Sequence, residues 1–318
     1  MKLYALLTSA IFIGMASAAL ASGVGIATSN PGSIYHTSAT AIAKVVNDKE
    51  GVPATIQPFA SPTVFMPAVN SGDLHFGLGS LYEATLAYNG EEFFTGRPHA
   101  DLRAVGILYP VRQGLFVRND SPIKTLAEIK GRSVPGGYTS QKIIVPLLEA
   151  AYATAGLTRT DMKPVQVPNV VAGADAFASG RVEMFLFAMG AAKVREVDAA
   201  VGGIRTLPIQ NTPENLAAIQ KHFPTGYLRL EKPGPENPGV TEPVYCIAYD
   251  GLIFASAKTP EEMVYKMTKA MYENKEELVK GFAVFNLFEP QAMVKEIPLP
   301  YHPGAIRFYQ EKGLWQPK

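Results

Sequence analysis

Five short stretches hold most of the hydrogen-bonding chemistry in this sequence: TSNPGSIY at 28–35, FASPT at 59–63, GLGSLY at 77–82, PGGYTSQ at 135–141 and AMGAAK at 188–193. Each is rich in Gly, Ser, Thr or Tyr, and each lies between a segment of strand character and one of helix character. Unpaired N–H groups and the positive dipole end of a helix attract a small anion there, while hydroxyls supply oriented hydrogen bonds. The candidate ligand-binding residues are accordingly Thr28, Ser29, Asn30, Gly32, Ser33, Tyr35, Ser61, Thr63, Ser80, Tyr82, Gly137, Tyr138, Thr139, Ser140 and Gly190. Helix capping explains Ser and Thr at any one such turn equally well. Five turns spread over two apparent lobes make the stronger case, because facing turns would surround a ligand in the cleft between them. Tyr35, Tyr82 and Tyr138 follow three of the turns at the same relative place, where they would wall a pocket or pack on a sheet.

One charge stands out. Arg112, in LYPVRQGLFVR, falls where the chain leaves its first set of elements for its second. A guanidinium is the usual bidentate partner of a carboxylate, so Arg112 joins the candidates. A hinge or surface salt bridge is the competing assignment. The motifs of catalysis are missing: there is no phosphate loop, zinc helix, nucleophile elbow or cysteine pair at metal spacing. None of the five histidines, His36, His75, His99, His222 and His302, is spaced for metal coordination. Cys246 is alone in an apolar strand-like run and reads as a small buried hydrophobe. No catalytic residue, metal or cofactor is expected, and the chain is not expected to be an enzyme.

The elements that position these groups alternate. Strands are expected at 24–27, 54–58 and 72–80 and helices at 35–47, 63–70 and 81–88, followed by a strand pair, LRAVGILY and GLFVR. This spacing argues for βαβ units and a largely parallel sheet, whose ligands bind beyond the carboxyl ends of the strands. A second set has a short helix opening at Ser121-Pro122 and ending at Lys130-Gly131, the strand SVPGG, and a long helix from Thr139 or Ser140. FASGRVEMFLFAMGAAKVREVDAAVG adds helix, strand and helix, with Gly190 at the last joint. Residues 207–243, with seven prolines, are expected to be ordered surface chain. VYCIAYDGLIFAS returns as a strand. TPEEMVYKMTKAMYENKEELVKGF forms an amphipathic helix with Thr259 as N-cap and Met263, Met267 and Met271 as a core stripe.

The amino terminus sets the compartment. Lys2, an apolar run from Leu3 to Met15 and the small-residue pattern ending at Ala21 predict a signal peptide over 1–21, too short to span a membrane. Its removal takes Lys2 and leaves 28 basic against 28 acidic residues, which gives no electrostatic argument for nucleic acid or an anionic membrane surface. About 300 mature residues exceed one hydrophobic core, so two lobes are expected.

The residues also resemble a known family, the TAXI-type solute-binding proteins of tripartite ATP-independent periplasmic (TRAP) transporters. The terminal stretch IPLPYHPGAIRFYQEKGLW carries the resemblance most specifically, with VYKMTKAMYENKEEL, LRAVGILYP, DSPIKTLAEIKGRSV and SGRVEMFLFAMG in support. The resemblance implies a type II periplasmic binding-protein fold, an α/β architecture of two lobes joined by crossing hinge strands, over 24–118 plus 247–318 and 119–246. It implies capture of a small organic acid in the cleft of a periplasmic, monomeric protein and delivery to TRAP permease subunits. The chain departs from the family at Thr28-Ser29-Asn30-Pro31-Gly32, Phe59-Ala60-Ser61-Pro62, Phe65 and Ser80. Those changes make the pocket less polar and favour a bulkier or more apolar carboxylate than glutamate. An ABC-type binding protein for a sulfonate or a thiamine precursor shares the fold and is the alternative, with an exported enzyme further behind.

Overall fold

The structure, a computed structural model, describes residues 23–316. The expected signal peptide lies outside the described residues. The first elements are β1 (Val24–Thr28), α1 (Ile34–Glu50), β2 (Ala54–Pro58), α2 (Pro62–Ser71), β3 (Phe76–Ser80), α3 (Leu81–Asn89) and β4 (Leu102–Arg118). Then follow β5 (Ser133–Gly137), α4 (Ile144–Ala153), β6 (Lys163–Val167), α5 (Val170–Ala178), β7 (Phe185–Ala188), α6 (Ala192–Val201), β8 (Ile204–Thr206), α7 (Pro213–His222) and β9 (Tyr227–Glu231). The chain returns through β10 (Val244–Ser256) and ends in α8 (Glu261–Glu273), α9 (Lys275–Gly281) and α10 (Pro303–Glu311).

The main sheet has the order β2-β1-β3-β10-β4-β7, with β8 also on β4 and β9 also on β10. It is mixed rather than largely parallel: β1 pairs in parallel with β2 and β3, whereas β10 and β4 run antiparallel to each other and to their neighbours. A separate parallel pair, β5-β6, completes the second half. The two long strands β4 and β10 pass through both halves and are the crossing strands of the expected fold. β1 is buried along its whole length, as a strand covered on both faces must be, while edge strand β2 is only partly buried.

Several local expectations are corrected. LRAVGILY and GLFVR are one continuous strand, because Pro110 falls opposite Asp250 beside a register shift and so removes no ladder bond that the sheet needs. The helix expected from Ser121-Pro122 is a single 3₁₀ turn, Leu126–Ile129, whose capping box joins Thr125 and Glu128. α4 begins at Ile144 instead of Thr139 or Ser140, since the amides of Ser140 and Gln141 donate to the carbonyl of Pro168 at 3.0 and 3.1 Å and are held outside the helix. Residues 207–243 contain α7, capped by Thr212 with Pro213 at its first turn, and β9, which pairs with β10. The carboxy-terminal amphipathic helix breaks at Asn274, and Pro260 occupies its N-cap while the Thr259 hydroxyl donates to the carbonyl of His75 at 3.1 Å. Met267 and Met271 are buried and Met263 packs against the core, as the stripe requires.

Candidate functional site

β1 runs straight into the turn that precedes α1, and β4 and β10 cross directly beneath it. Ser29, Asn30, Ser33, Ile34 and Tyr35 form one wall of a cavity here. Val111 and Gln113 of β4 with Tyr249 of β10 make its floor, and Gln141, Ile144, Asn169, Val170 and Val171 make the opposite wall. Phe187 and Ala188, at the end of β7, close one side. No Lys, Arg, His, Asp or Glu side chain lines it. The enclosed space is about 30 Å³, room for one or two waters, so the walls stand close together.

Two helices aim their N-termini into this space. Ser33 caps α1 by accepting the His36 amide at 3.2 Å, which leaves the amides of Ile34 and Tyr35 without an acceptor among the described residues. Across the cavity Asn169 caps α5 by accepting the Ala172 amide at 3.0 Å, and Gln141 Oε1 accepts the Val170 amide at 3.0 Å. The side chains between them are unevenly satisfied. Gln113 Nε2 donates to the Tyr249 hydroxyl at 2.8 Å, but Gln113 Oε1 has no partner. Ser29 Oγ is likewise buried and unpartnered. The Tyr35 hydroxyl neighbours that of Tyr249 yet makes no hydrogen bond of ordinary geometry. Burial pushes both phenols well above their usual range, so they stay neutral and available as donors. Buried polar atoms are nearly always paired in folded proteins, so such a group at a cavity wall marks a place for a ligand atom.

The structure gathers four of the candidates at this cavity: Ser29, Asn30, Ser33 and Tyr35. Others brace it. Thr28 donates to the carbonyl of Ser29 at 3.0 Å. Gly32, at φ +86°, accepts the Lys193 amide at 3.1 Å from the facing wall, and the Ser61 hydroxyl bonds the carbonyl of Ser140, also across the gap. Thr63 bonds the carboxyl of Glu83, and Ser80 caps α3. Tyr82, Gly137 and Thr139 line a separate interlobe groove, and Gly137 and Tyr138 border a pocket under α4. Gly190, at φ +81°, gives the Arg112 guanidinium room: a Cβ there would sit 3.3 Å from Nη2.

Arg112 does not line the cavity. Its Nη1 donates to Glu231 Oε2 at 2.7 Å and to Asn237 Oδ1 at 2.8 Å, and its side chain is 2% exposed. The residues that the sequence did not single out are Gln113, Tyr249, Gln141 and Asn169. Asn169 carried a usable signal, since PVQVPNVV places it at a strand-to-helix joint like the five turns. Cys246 is buried and burial raises its thiol to about 12, which removes it as a nucleophile. Among the described residues no group of three or more His, Cys, Asp or Glu can hold a metal ion, and no helix is long and apolar enough to cross a membrane.

A profile of the NMT1-like family matches residues 26–313. The chain belongs to that family. Among solved structures the NMT1-like chain is similar to MatC of Rhodopseudomonas palustris with bound malate, at 16% identity and TM-score 0.57, over 92% of this chain and 97% of that one. An R. palustris protein solved with adipate aligns at 14% identity and TM-score 0.56, over 92% and 95%. The alkanesulfonate-binding protein SsuA of Xanthomonas axonopodis pv. citri, bound to MOPS, aligns at 16% identity and TM-score 0.51, over 92% and 94%. Likenesses this distant establish the fold: two α/β lobes and crossing strands in the manner of periplasmic binding proteins.

Proposed function

We propose that this NMT1-like chain is an exported solute-binding protein that captures a small organic acid between its lobes, 24–118 plus 247–318 and 119–246, and hands it to a membrane permease. The TAXI-like carboxy-terminal stretch favours a TRAP permease, and the apolar leader favours the periplasm. The observation that carries the reading is the set of buried, unpartnered polar atoms, Ser29 Oγ and Gln113 Oε1, facing a cavity with no charged lining and free helix amides. Free amides and neutral hydroxyls hold a carboxylate, while the Gln113 oxygen accepts from a hydroxyl. A hydroxy acid satisfies both. With about 30 Å³ enclosed, the walls must separate to admit such a molecule and close on it, which the crossing strands permit by bending. Of the ligands printed for the structural relatives, malate is a hydroxy acid, and adipate is a dicarboxylate that carries no hydroxyl.

Titration calorimetry and thermal-shift measurements with lactate, malate, succinate and adipate test the reading. Saturable stoichiometric binding without turnover is expected, with Ser29→Ala and Tyr35→Phe each weakening it about tenfold, the worth of one hydrogen bond of about 1.4 kcal/mol. Failure of every acid to bind, or conversion of one of them, overturns it. The same donors suit a sulfonate, and a panel in which MOPS and other sulfonates bind while carboxylates do not would transfer the assignment to the ABC-type class.

A further inference from the structure

A buried carboxyl stands behind the cavity wall. Glu83 is the third residue of α3 and only 1% exposed. Its spacing from Ser80 is that of a capping box, and the Ser80 hydroxyl does accept the Glu83 amide at 3.0 Å. The reciprocal bond is not made, because Ser80 lies in β3 opposite Gly251 and belongs to the sheet. Released from capping, the Glu83 carboxyl turns to α2 and accepts the Thr63 hydroxyl.

Among the described residues no Lys, Arg or His forms an ion pair with it. The groups facing Glu83 are phenols: Tyr35 of α1 and Tyr249 of β10, both lining the cavity, lie within its electrostatic reach, with Tyr109 of β4 just beyond them. Asp250 of β10 is tied to Lys295, and Arg112 of β4 to Glu231. Glu91 and Glu92, beyond the end of α3, act on Tyr82 instead. A carboxyl in such surroundings is costly to ionise, and burial lifts its pKa to about 7. An anion arriving on the far side of two tyrosine rings makes ionisation costlier still.

We propose that Glu83 makes solute binding proton-linked, so that an organic anion is taken into the cavity together with one proton, which resides on the Glu83 carboxyl. The inference rests on the cavity being a carboxylate site. The step is a protonation only: the solute arrives as its anion, the proton comes from bulk water, and the neutral carboxylic acid keeps its bond with Thr63. Glu83 acts as a positioning and charge-setting residue, not as a ligand contact. In consequence the site prefers acids while the surroundings are neutral or mildly acidic, and rejects them as the pH rises.

Calorimetry with malate and adipate, in two buffers of different ionisation enthalpy, measures the proton count directly. Binding is expected to be about tenfold tighter near pH ~6.5 than near pH ~8.5, with uptake approaching one proton per solute at the higher pH. Glu83→Gln should flatten both dependences and keep tight binding at high pH. A second readout requires no solute. Because the folded pKa lies above the ordinary carboxyl value, this group's contribution to stability is complete below about pH 4.5 and is lost as the pH rises through about 7. Urea unfolding of the wild type should show that decline and Glu83→Gln should not. Binding that is independent of pH and exchanges no proton overturns the inference and leaves the cavity reading standing. Absence of binding by both acids at every pH, with the stability decline intact, overturns the cavity reading and the inference with it.

Discussion

Arg112 and Gln113 are consecutive residues of β4, yet they live on opposite faces of one sheet and in opposite circumstances. The guanidinium is engaged by Glu231, Asn237 and the carbonyl of Met189, with Nη2 3.4 Å from that oxygen. The amide beside it has an oxygen with no partner at the cavity floor. Successive side chains alternate across a strand, so one residue was bound to face the ligand gap and the other the protein. The lesson is that charge marks where a strand must be neutralised, whereas an unsatisfied neutral group marks where it is open to a visitor.

The largest expected effect breaks the charged side, where the guanidinium is paired through Nη1 and Nη2 although its Nε has no partner. Arg112→Ala leaves the buried Glu231 with only Arg229 and Asn237 to answer it and should cost about 2–3 kcal/mol in denaturant unfolding, as expected for loss of a charged hydrogen bond. The double change Arg112→Met with Glu231→Leu should recover most of that loss and bind the acid as tightly as the wild type, and the unchanged affinity is what a role in holding the solute would not allow. On the open side, Gln113→Leu should weaken acid binding about tenfold while moving stability by less than about 1 kcal/mol, because the lost Nε2 bond to Tyr249 is offset by removal of a buried oxygen that had no partner. Calorimetry beside urea unfolding separates the two. Asn169→Ala should lower stability by about 1 kcal/mol through loss of the α5 cap and weaken binding only slightly. The smallest effect is at Cys246, where thiol reagents at mildly alkaline pH should label the folded protein far more slowly than the unfolded chain.

Much of this arrangement can be read from the chain alone. β1, β2 and β10 and the joints at 28–35 and 188–193 fall where apolar runs and Gly, Ser and Thr turns place them, since those signals are local. The capping box spacing of Ser80 and Glu83 was equally visible, but its meaning was not. Only the pairing of β3 with β10 decides that the Glu83 carboxyl is free to turn inward. The same holds for α4, whose late start depends on a carbonyl at Pro168 that reaches Ser140 and Gln141 from another loop. Arg112 was noticed for its charge and Gln113 was not, because the face each presents depends on what packs against β4: Glu231 lies 119 positions away in the sequence. The prolines of 207–243 obscured α7 and β9 for a related reason, since Pro213 helps to start a helix rather than to prevent one.

Two bonds that span the gap run from the Lys193 amide to the Gly32 carbonyl and from the Ser61 hydroxyl to the Ser140 carbonyl. Three of those four atoms belong to the main chain, and neither Lys193 nor Ser61 lines the cavity. The grip that shuts the protein is thus written in the backbone, and the taste of the site in a handful of interchangeable side chains. Descendants of this sequence can acquire a different diet without having to relearn how to close.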